Sequence, residues 1–490
     1  MTDLAAFAVF GAGLLTALAV GEALRAWAGW APESSRRVVH ALVGVETALS
    51  PLLFAGPGWI YALAVGFAAV NVVASPRGVF AGMHGIRRRS WGTVTFPVAL
   101  VAGLWLCWTL DASRVFALQA AFLVLALADP AASLVGTRVA RPGRYAVAGE
   151  TKSLAGSAAF AVVAGAATAL AVAAFGPGWT AGEVAAAPVG VAAVATAAEA
   201  LGRAGWDNLW IVLATMTVLA ALHHGAATPE TVLWGVALAG AFGVAAWRAR
   251  SLDTSGALAA GVLAWLVVAV GGAAWAVPIF GFFALSSALS RLGRRRKRGA
   301  EALAEKGSRR DAGQVVANGG VAGALLAATV FADGSAALYA GFLGALAAAA
   351  ADTWATEIGT LVGGPTRRLG VGPRVPPGTS GGMSVGGTVG TVLGAASVAA
   401  CALPFGALSP RAAGWVVAAG VAGSLADTVL GATVQARFGR PGGGVTERRV
   451  EGGVALPLAG GVAWVGNDAV NLACTVVGAA VAAALVTAGG

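Results

Sequence analysis

About sixteen apolar runs, each able to cross or nearly cross the hydrocarbon layer, follow one another from residues 3–24 to residues 467–488. In lipid, every backbone amide must find its partner within its own segment, so runs of this kind fold as α-helices. The expectation is an all-α polytopic membrane protein of about 16 transmembrane helices. Composition agrees: of 490 residues, 58% are hydrophobic and 11% charged, and the mean hydropathy is +0.79. That charge is too sparse to cover a soluble protein of this size. The 72 glycines suit close approach of helices in lipid. Cys107, Cys401 and Cys474 sit singly in apolar runs and have neither disulfide nor zinc-site spacing. Glu22 in the first run, with no small-residue cleavage site after it, marks a retained helix rather than a signal peptide.

The basic residues fall in alternate loops. Arg25/Arg36/Arg37, Arg87–Arg89, Arg138/Arg141/Arg144/Lys152, Arg203 and Arg248/Arg250 come first, followed by the 291–311 stretch, Arg367/Arg368/Arg374 and Arg437/Arg440/Arg448/Arg449. Arg114 and Arg411 are the exceptions. By the positive-inside rule the amino terminus lies outside and each basic loop is cytoplasmic. The net charge of +10 is therefore a topology signal and requires no nucleic acid.

A boundary near 250 separates halves 1–250 and 251–490, in which similar motifs recur in one order. An Arg-Arg pair enters a span in "RRVVHALVG" (36–44) and "RRDAGQVVANGG" (309–320). An Ala-Asp stretch follows in "LADPAASLVG" (127–136) and "AAADTWATEIG" (349–359). Next come the small polar turns "GETKSLAGS" (149–157) and "PPGTSGGMSVGG" (376–387), and then an acid late in a span, Glu199 or Asp427. "WDNL" (206–209) and "GNDAVN" (466–471) open a further span. The order points to an ancient duplication and two pseudo-repeated bundles.

An ionised carboxylate near the bilayer centre costs about 2.5–3.5 kcal/mol on insertion scales. Asp129, Glu199, Asp352, Glu357, Asp427 and Asp468 mostly lie within about two turns of the inner ends of their spans, which points them at a cytoplasmic-side cavity. Helical spacing places Asp352 with Thr356 and Gly359 on one face, and Glu357 about 140° away. Asp427 aligns with Gly431 and Gln435, and Asp468 with Asn471 and Thr475. Carboxylates among hydroxyls, amides and glycine suit a hard cation such as Mg²⁺, which usually brings phosphate with it. The turns are the anionic ligand's counterpart: Lys152 and Ser153 in one, Thr379, Ser380, Gly381 and Gly382 in the other, each before a helix. Neither is a G-x-x-x-x-G-K-[ST] phosphate loop.

"RRVVHALVG", "ADPAASLVGTR", "ETKSLAGS" and "EALGRAGWDNLW" resemble the motifs of the polyprenol/phytol/dolichol kinase family of CTP-dependent membrane lipid kinases, over roughly 30–225. "KGSRRDAGQVVANGG", "AAADTWATEIG", "RVPPGTSGGMS", "GSLADTVLGATVQ" and "NDAVN" resemble the phytyl-phosphate kinase family, over about 252–490. The first half departs from its pattern in having Arg36-Arg37 for the usual Arg-Lys and in Pro130 after the aspartate.

The resemblance implies two consecutive phosphorylations: isoprenoid alcohol (phytol or geranylgeraniol) to monophosphate, then monophosphate to diphosphate, with CTP as donor and Mg²⁺ as cofactor. In the first site Asp129, Glu199 and Asp207 would hold metal. Arg36, Arg37, Arg138, Lys152, Ser153 and Asn208 would bind nucleotide or substrate, and Asp129 or His40 would serve the alcohol. In the second, Asp352, Glu357, Asp427 and Asp468 would hold metal, with Asp352 and Asp427 catalytic. Arg309, Arg310, Asn318, Arg374, Thr379, Ser380, Gly381, Gly382, Asn467 and Asn471 would bind substrate or nucleotide, with Arg309, Arg310, Thr379 and Ser380 on phosphates. The rival class is a secondary transporter, whose duplicated bundles also carry carboxylates within spans. A CDP-alcohol transferase is disfavoured because its D-x-x-D-G-x-x-A-R signature is missing.

Overall fold

A computed structural model describes residues 2–74, 91–141, 143–293, 309–332 and 336–489. Arg87–Arg89 and the middle of the 291–311 basic stretch lie outside these residues. Two compact units divide the chain, Met1–Ala237 and Leu238–Gly490. The division falls inside a helix, ahead of the boundary near 250 expected from the motifs.

The first unit contains α1 (Asp3–Ala26), α2 (Pro32–Leu49), α3 (Gly58–Ala74), α4 (Gly92–Leu104), α5 (Val115–Arg138), α6 (Leu154–Phe175), α7 (Ala181–Leu201) and α8 (Asp207–His223). The dividing helix is α9 (Pro229–Arg248). The second unit adds α10 (Thr254–Leu266), α11 (Ala273–Arg291), α12 (Ala312–Phe331), α13 (Ala336–Val362), α14 (Val385–Ala402), α15 (Pro410–Thr433) and α16 (Asn467–Gly489). Sixteen helices among the described residues thus match the sixteen apolar runs, and 13 are long and apolar enough to cross a membrane. The apolar stretches Gly58–Val72 of α3 and Asp207–His223 of α8 are shorter. α2 is too polar to qualify, since it carries Glu33, Arg36, Arg37, His40 and Glu46.

Each unit is built around one helix buried on every side. In α5 each residue from Phe116 to Ala126 is buried, and in α13 each from Tyr339 to Ala351. A helix apolar all round belongs in an interior. Three corresponding neighbours surround both, and α13 packs on α15 besides. α5 packs on α2, α6 and α8 as α13 packs on α12, α14 and α16, and the pairs α6–α7 and α7–α8 recur as α14–α15 and α15–α16. The repeat read from motif order is thus also a repeat of packing partners. Close approach rests on glycine: a Cβ on Gly478 would stand 2.5 Å from the Gly344 carbonyl oxygen where α16 crosses α13.

The polar turns are more ordered than their composition suggests. "GETKSLAGS" is half of a hairpin, β1 (Arg144–Val147) against β2 (Glu150–Ser153), antiparallel with Tyr145 opposite Lys152. Ala148 and Gly149 at its tip both have positive φ (49° and 79°), as a two-residue hairpin turn demands. β2 then runs directly into α6, whose Gly156 amide donates to Ser153 Oγ (3.0 Å). In the second unit β3 (Arg367–Arg368) pairs with β4 (Gly382–Met383), and Ser384 caps α14 by accepting from the Gly387 amide (3.1 Å).

Candidate functional site

In the first unit α5, α2, β2, α7 and α8 bring most of the expected residues together. His40 Nε2 stands 3.8 Å from Asp129 Oδ2, and the imidazole is also held to the Leu125 backbone. Arg37 Nε donates to Ser133 Oγ (2.9 Å), one helical turn beyond Asp129. Lys152 Nζ donates to Glu199 Oε1 (2.6 Å) and to the Glu199 carbonyl (3.1 Å). Burial alone would lower the Lys152 ammonium, but Glu199, with Asp207 and Asp129 behind it, holds it above its ordinary value. Asp129, Asp207, Glu199, Lys152, Arg36 and Arg37 all act electrostatically on members of this cluster.

Several roles expected from sequence are redistributed. Glu199 is the partner of Lys152, and its side chain is only 8% exposed. Asn208 Nδ2 donates to the Gly92 carbonyl (3.0 Å) and Thr95 Oγ1 (3.4 Å), tying α8 to α4. Ser153 spends its hydroxyl capping α6, and Arg138 is exposed at the end of α5. Ser133 was not singled out in the sequence, although it fills the Ser/Thr position of the Ala-Asp motif.

In the second unit Asp352 of α13 and Asp427 of α15 face each other carboxyl to carboxyl, within hydrogen-bonding reach. Asp427 Oδ2 is buried and has no hydrogen-bond partner among the described residues. Two carboxylates so placed repel each other, and either a shared proton or a cation between them relieves that repulsion. Around them, Ser380 Oγ donates to Glu447, which also acts electrostatically on Asp427. The 379–382 turn seats on α15, where a Cβ on Gly431 would meet the Gly381 nitrogen at 3.1 Å and Ser380 Cβ at 3.2 Å. Thr379 Oγ1 donates to the Pro376 carbonyl (2.7 Å) and shapes that turn. Glu447 went unnoticed in the sequence because it stands among arginines in a loop read only for topology.

Other expected members point elsewhere. Glu357 accepts from Ser290 Oγ of α11 (2.5 Å) and interacts with Arg310, as its angular separation from Asp352 predicts. Arg309 Nε donates to the Leu252 carbonyl (2.9 Å), and Arg310 lies 5.8 Å from the centroid of the Phe283 ring. Both arginines fasten the entry of α12. Asn318 Nδ2 donates to Gln314 within its own helix (2.8 Å), and Arg374 is exposed on the loop before the turn. Asn467 and Asp468 open α16, with Asn471 half-buried one turn on.

Among the described residues no three His, Cys, Asp or Glu side chains stand close enough to hold a metal ion together. The three- and four-acid ligand shells expected from sequence are therefore not assembled, because Glu199 is taken by Lys152 and Glu357 turns to α11. What is assembled is the Asp352–Asp427 pair with its orphaned oxygen. That donor set fits Mg²⁺, which is commonly held by one or two carboxylates plus phosphates and waters.

Residues 237–479 match the family described as "Integral membrane protein DUF92". The chain is thus similar to this integral membrane family over just under half of its length. The matched segment contains the Asp352–Asp427 pair and the turn beside it. "Protein PGR" of Arabidopsis thaliana is 27% identical over 228 residues, 42% of this chain and 79% of the plant protein. "Uncharacterized membrane protein MJ0933" of Methanocaldococcus jannaschii is 29% identical over 196 residues, 40% of this chain and 78% of the archaeal protein. No solved structure matches.

Proposed function

We propose that the protein is a bifunctional membrane isoprenoid kinase with both sites on the cytoplasmic side. The first half would convert a prenyl alcohol to its monophosphate, and the second half would convert the monophosphate to the diphosphate, with CTP as donor. The observation that carries this reading is the half-buried Asp352–Asp427 pair, with Asp427 Oδ2 shut off from solvent, set against a glycine-serine turn in an apolar bundle. Phosphoryl transfer asks a protein chiefly for positioning and charge neutralisation. Asp352 and Asp427 would hold Mg²⁺, which when bound supplies positive charge against the transferring phosphoryl group. The monophosphate acceptor is already anionic and needs no strong base. An alcohol does, and in the first half its proton would pass to Asp129 or to His40 Nε2, which lacks a hydrogen-bond partner among the described residues. An apolar cleft lined by Ile358, Val362, Pro365, Val385 and Val389 opens between α13 and α14 and suits a prenyl chain.

The test is transfer of labelled phosphate from CTP in purified protein. With phytyl phosphate, wild type should form diphosphate and Asp352→Asn should form none. With phytol, wild type should form monophosphate and Asp129→Asn should not. No transfer from CTP to either lipid would remove the kinase reading and favour the carrier.

A further inference from the structure

Where α15 ends, hydrogen-bond donors gather without matching acceptors. Gln435 is 1% exposed, and its Nε2 has no partner among the described residues. Two residues on, Arg437 Nε is likewise buried and unpartnered. Burial, and then the neighbouring Arg368 guanidinium, draw Arg437 below its ordinary value. Arg368 arrives through β3 and donates to the Ala432 carbonyl. β3's partner strand delivers the 379–382 turn to the same place, where Gln435 Oε1 lies 3.3 Å from a Cβ built on Gly431. Arg368, Gln435 and the glycine turn therefore meet at Gly431–Ala432, with Arg437 alongside.

Guanidinium and amide N–H groups only donate, and leaving them buried and unpaired is costly. Two adjacent guanidiniums add repulsion, which an oxygen-rich anion would reverse, and the planar fork of arginine matches phosphate oxygens. Asp427 lies one helical turn before Gly431, about 6 Å along the axis, on the same face of α15. Donors thus stand on one side and the carboxyl pair on the other, a spacing that fits a phosphate lying between the arginines and a cation.

We propose that Arg368, Arg437 and Gln435 form an oxyanion pocket that holds the phosphate of a phosphate ester beside the Asp352–Asp427 pair. The pocket rests on the kinase reading only for the identity of the ester, which is either the nucleotide or the prenyl phosphate. Equilibrium binding of CTP, farnesyl monophosphate and inorganic pyrophosphate to the full-length protein in detergent tests it. Wild type should bind, and Arg437→Gln and Gln435→Glu should each weaken binding at least about tenfold, or 1.4 kcal/mol. Arg437→Lys, which keeps the charge but loses the planar fork, should bind more weakly than wild type and more tightly than Arg437→Gln. A loss confined to CTP assigns the pocket to the donor, and one confined to farnesyl monophosphate assigns it to the acceptor. If Arg437→Gln does not fold, Gln435→Glu and Arg368→Gln carry the same measurement. Wild type that binds none of the three probes, or folded variants that bind all as wild type does, would overturn the pocket. Arginine-dependent binding without transfer from CTP would keep the pocket and refute the kinase, whereas transfer with unchanged affinities in Arg437→Gln would do the reverse.

Discussion

Lys152 and Glu199 illustrate how far one ion pair can govern a membrane-embedded site. Their side chains are 17% and 8% exposed, so neither charge has enough water to stand alone. Removing one partner from such a buried pair typically costs about 3–5 kcal/mol, because the other charge is left uncompensated. Lys152→Met should therefore lower thermal stability in detergent sharply, and adding Glu199→Leu should restore most of the loss. A double-mutant cycle of unfolding temperatures measures the coupling. Equal loss in the single and double variants would mean that Lys152 acts by packing alone. The sequence marked both residues but assigned them to different ligands, since a contact spanning 47 positions leaves no local trace.

Between helices, the decisive chemistry is the absence of side chains. Gly387, Gly390 and Gly394 form a stripe along α14 that lies on the α13 backbone, and a Cβ on Gly387 would stand 3.2 Å from the Ala355 carbonyl oxygen. Without a hydrophobic drive between helices in lipid, such close packing is what holds them together. Gly390→Leu should separate α13 from α14 and displace Asp352, and it should be read as lost accumulation or a lowered unfolding temperature. Gly414 of α15 has nothing within 4 Å of a built Cβ, so Gly414→Ala should be neutral or slightly stabilising by removing backbone entropy. Comparable losses in both variants would refute the stripe. Stripes of small residues are visible in sequence, whereas their partner helix is not.

For the molecule as a whole, the end of the first unit opposite Asp129 carries a lock that acid should open. Arg114 Nε donates to His224 Nε2 (2.6 Å), so that nitrogen must be unprotonated, and His224 also lies 3.2 Å from Asp111. His223 Nε2 and Ser113 Oγ stand 3.1 Å apart beside them, joining the start of α5 to the end of α8. Burial, then Arg114 and His223, hold His224 below its ordinary value, with Asp111 opposing. A histidine depressed on folding gives stability that is complete above the unfolded value near 6.5 and is lost as pH falls below it. Asp111, also depressed, first by its bond from the Ser113 amide, adds a loss of the same sign at lower pH. The unfolding temperature should fall on acidification from about pH 7.5 through 6. His224→Gln, which keeps an acceptor for Arg114, should flatten that slope, and an unchanged slope would exclude His224 as its source. Length, apolarity and motif order were enough to foretell sixteen helices in two similar halves, because lipid makes each segment satisfy its own backbone. Helical spacing likewise separated Glu357 from Asp352. Which acid meets which partner was settled by packing: Glu199 with Lys152, Asp352 with Asp427, and Glu447 with Ser380 all join residues remote in the chain. Those distances depend on where glycine lets helices touch, and no single segment carries that information.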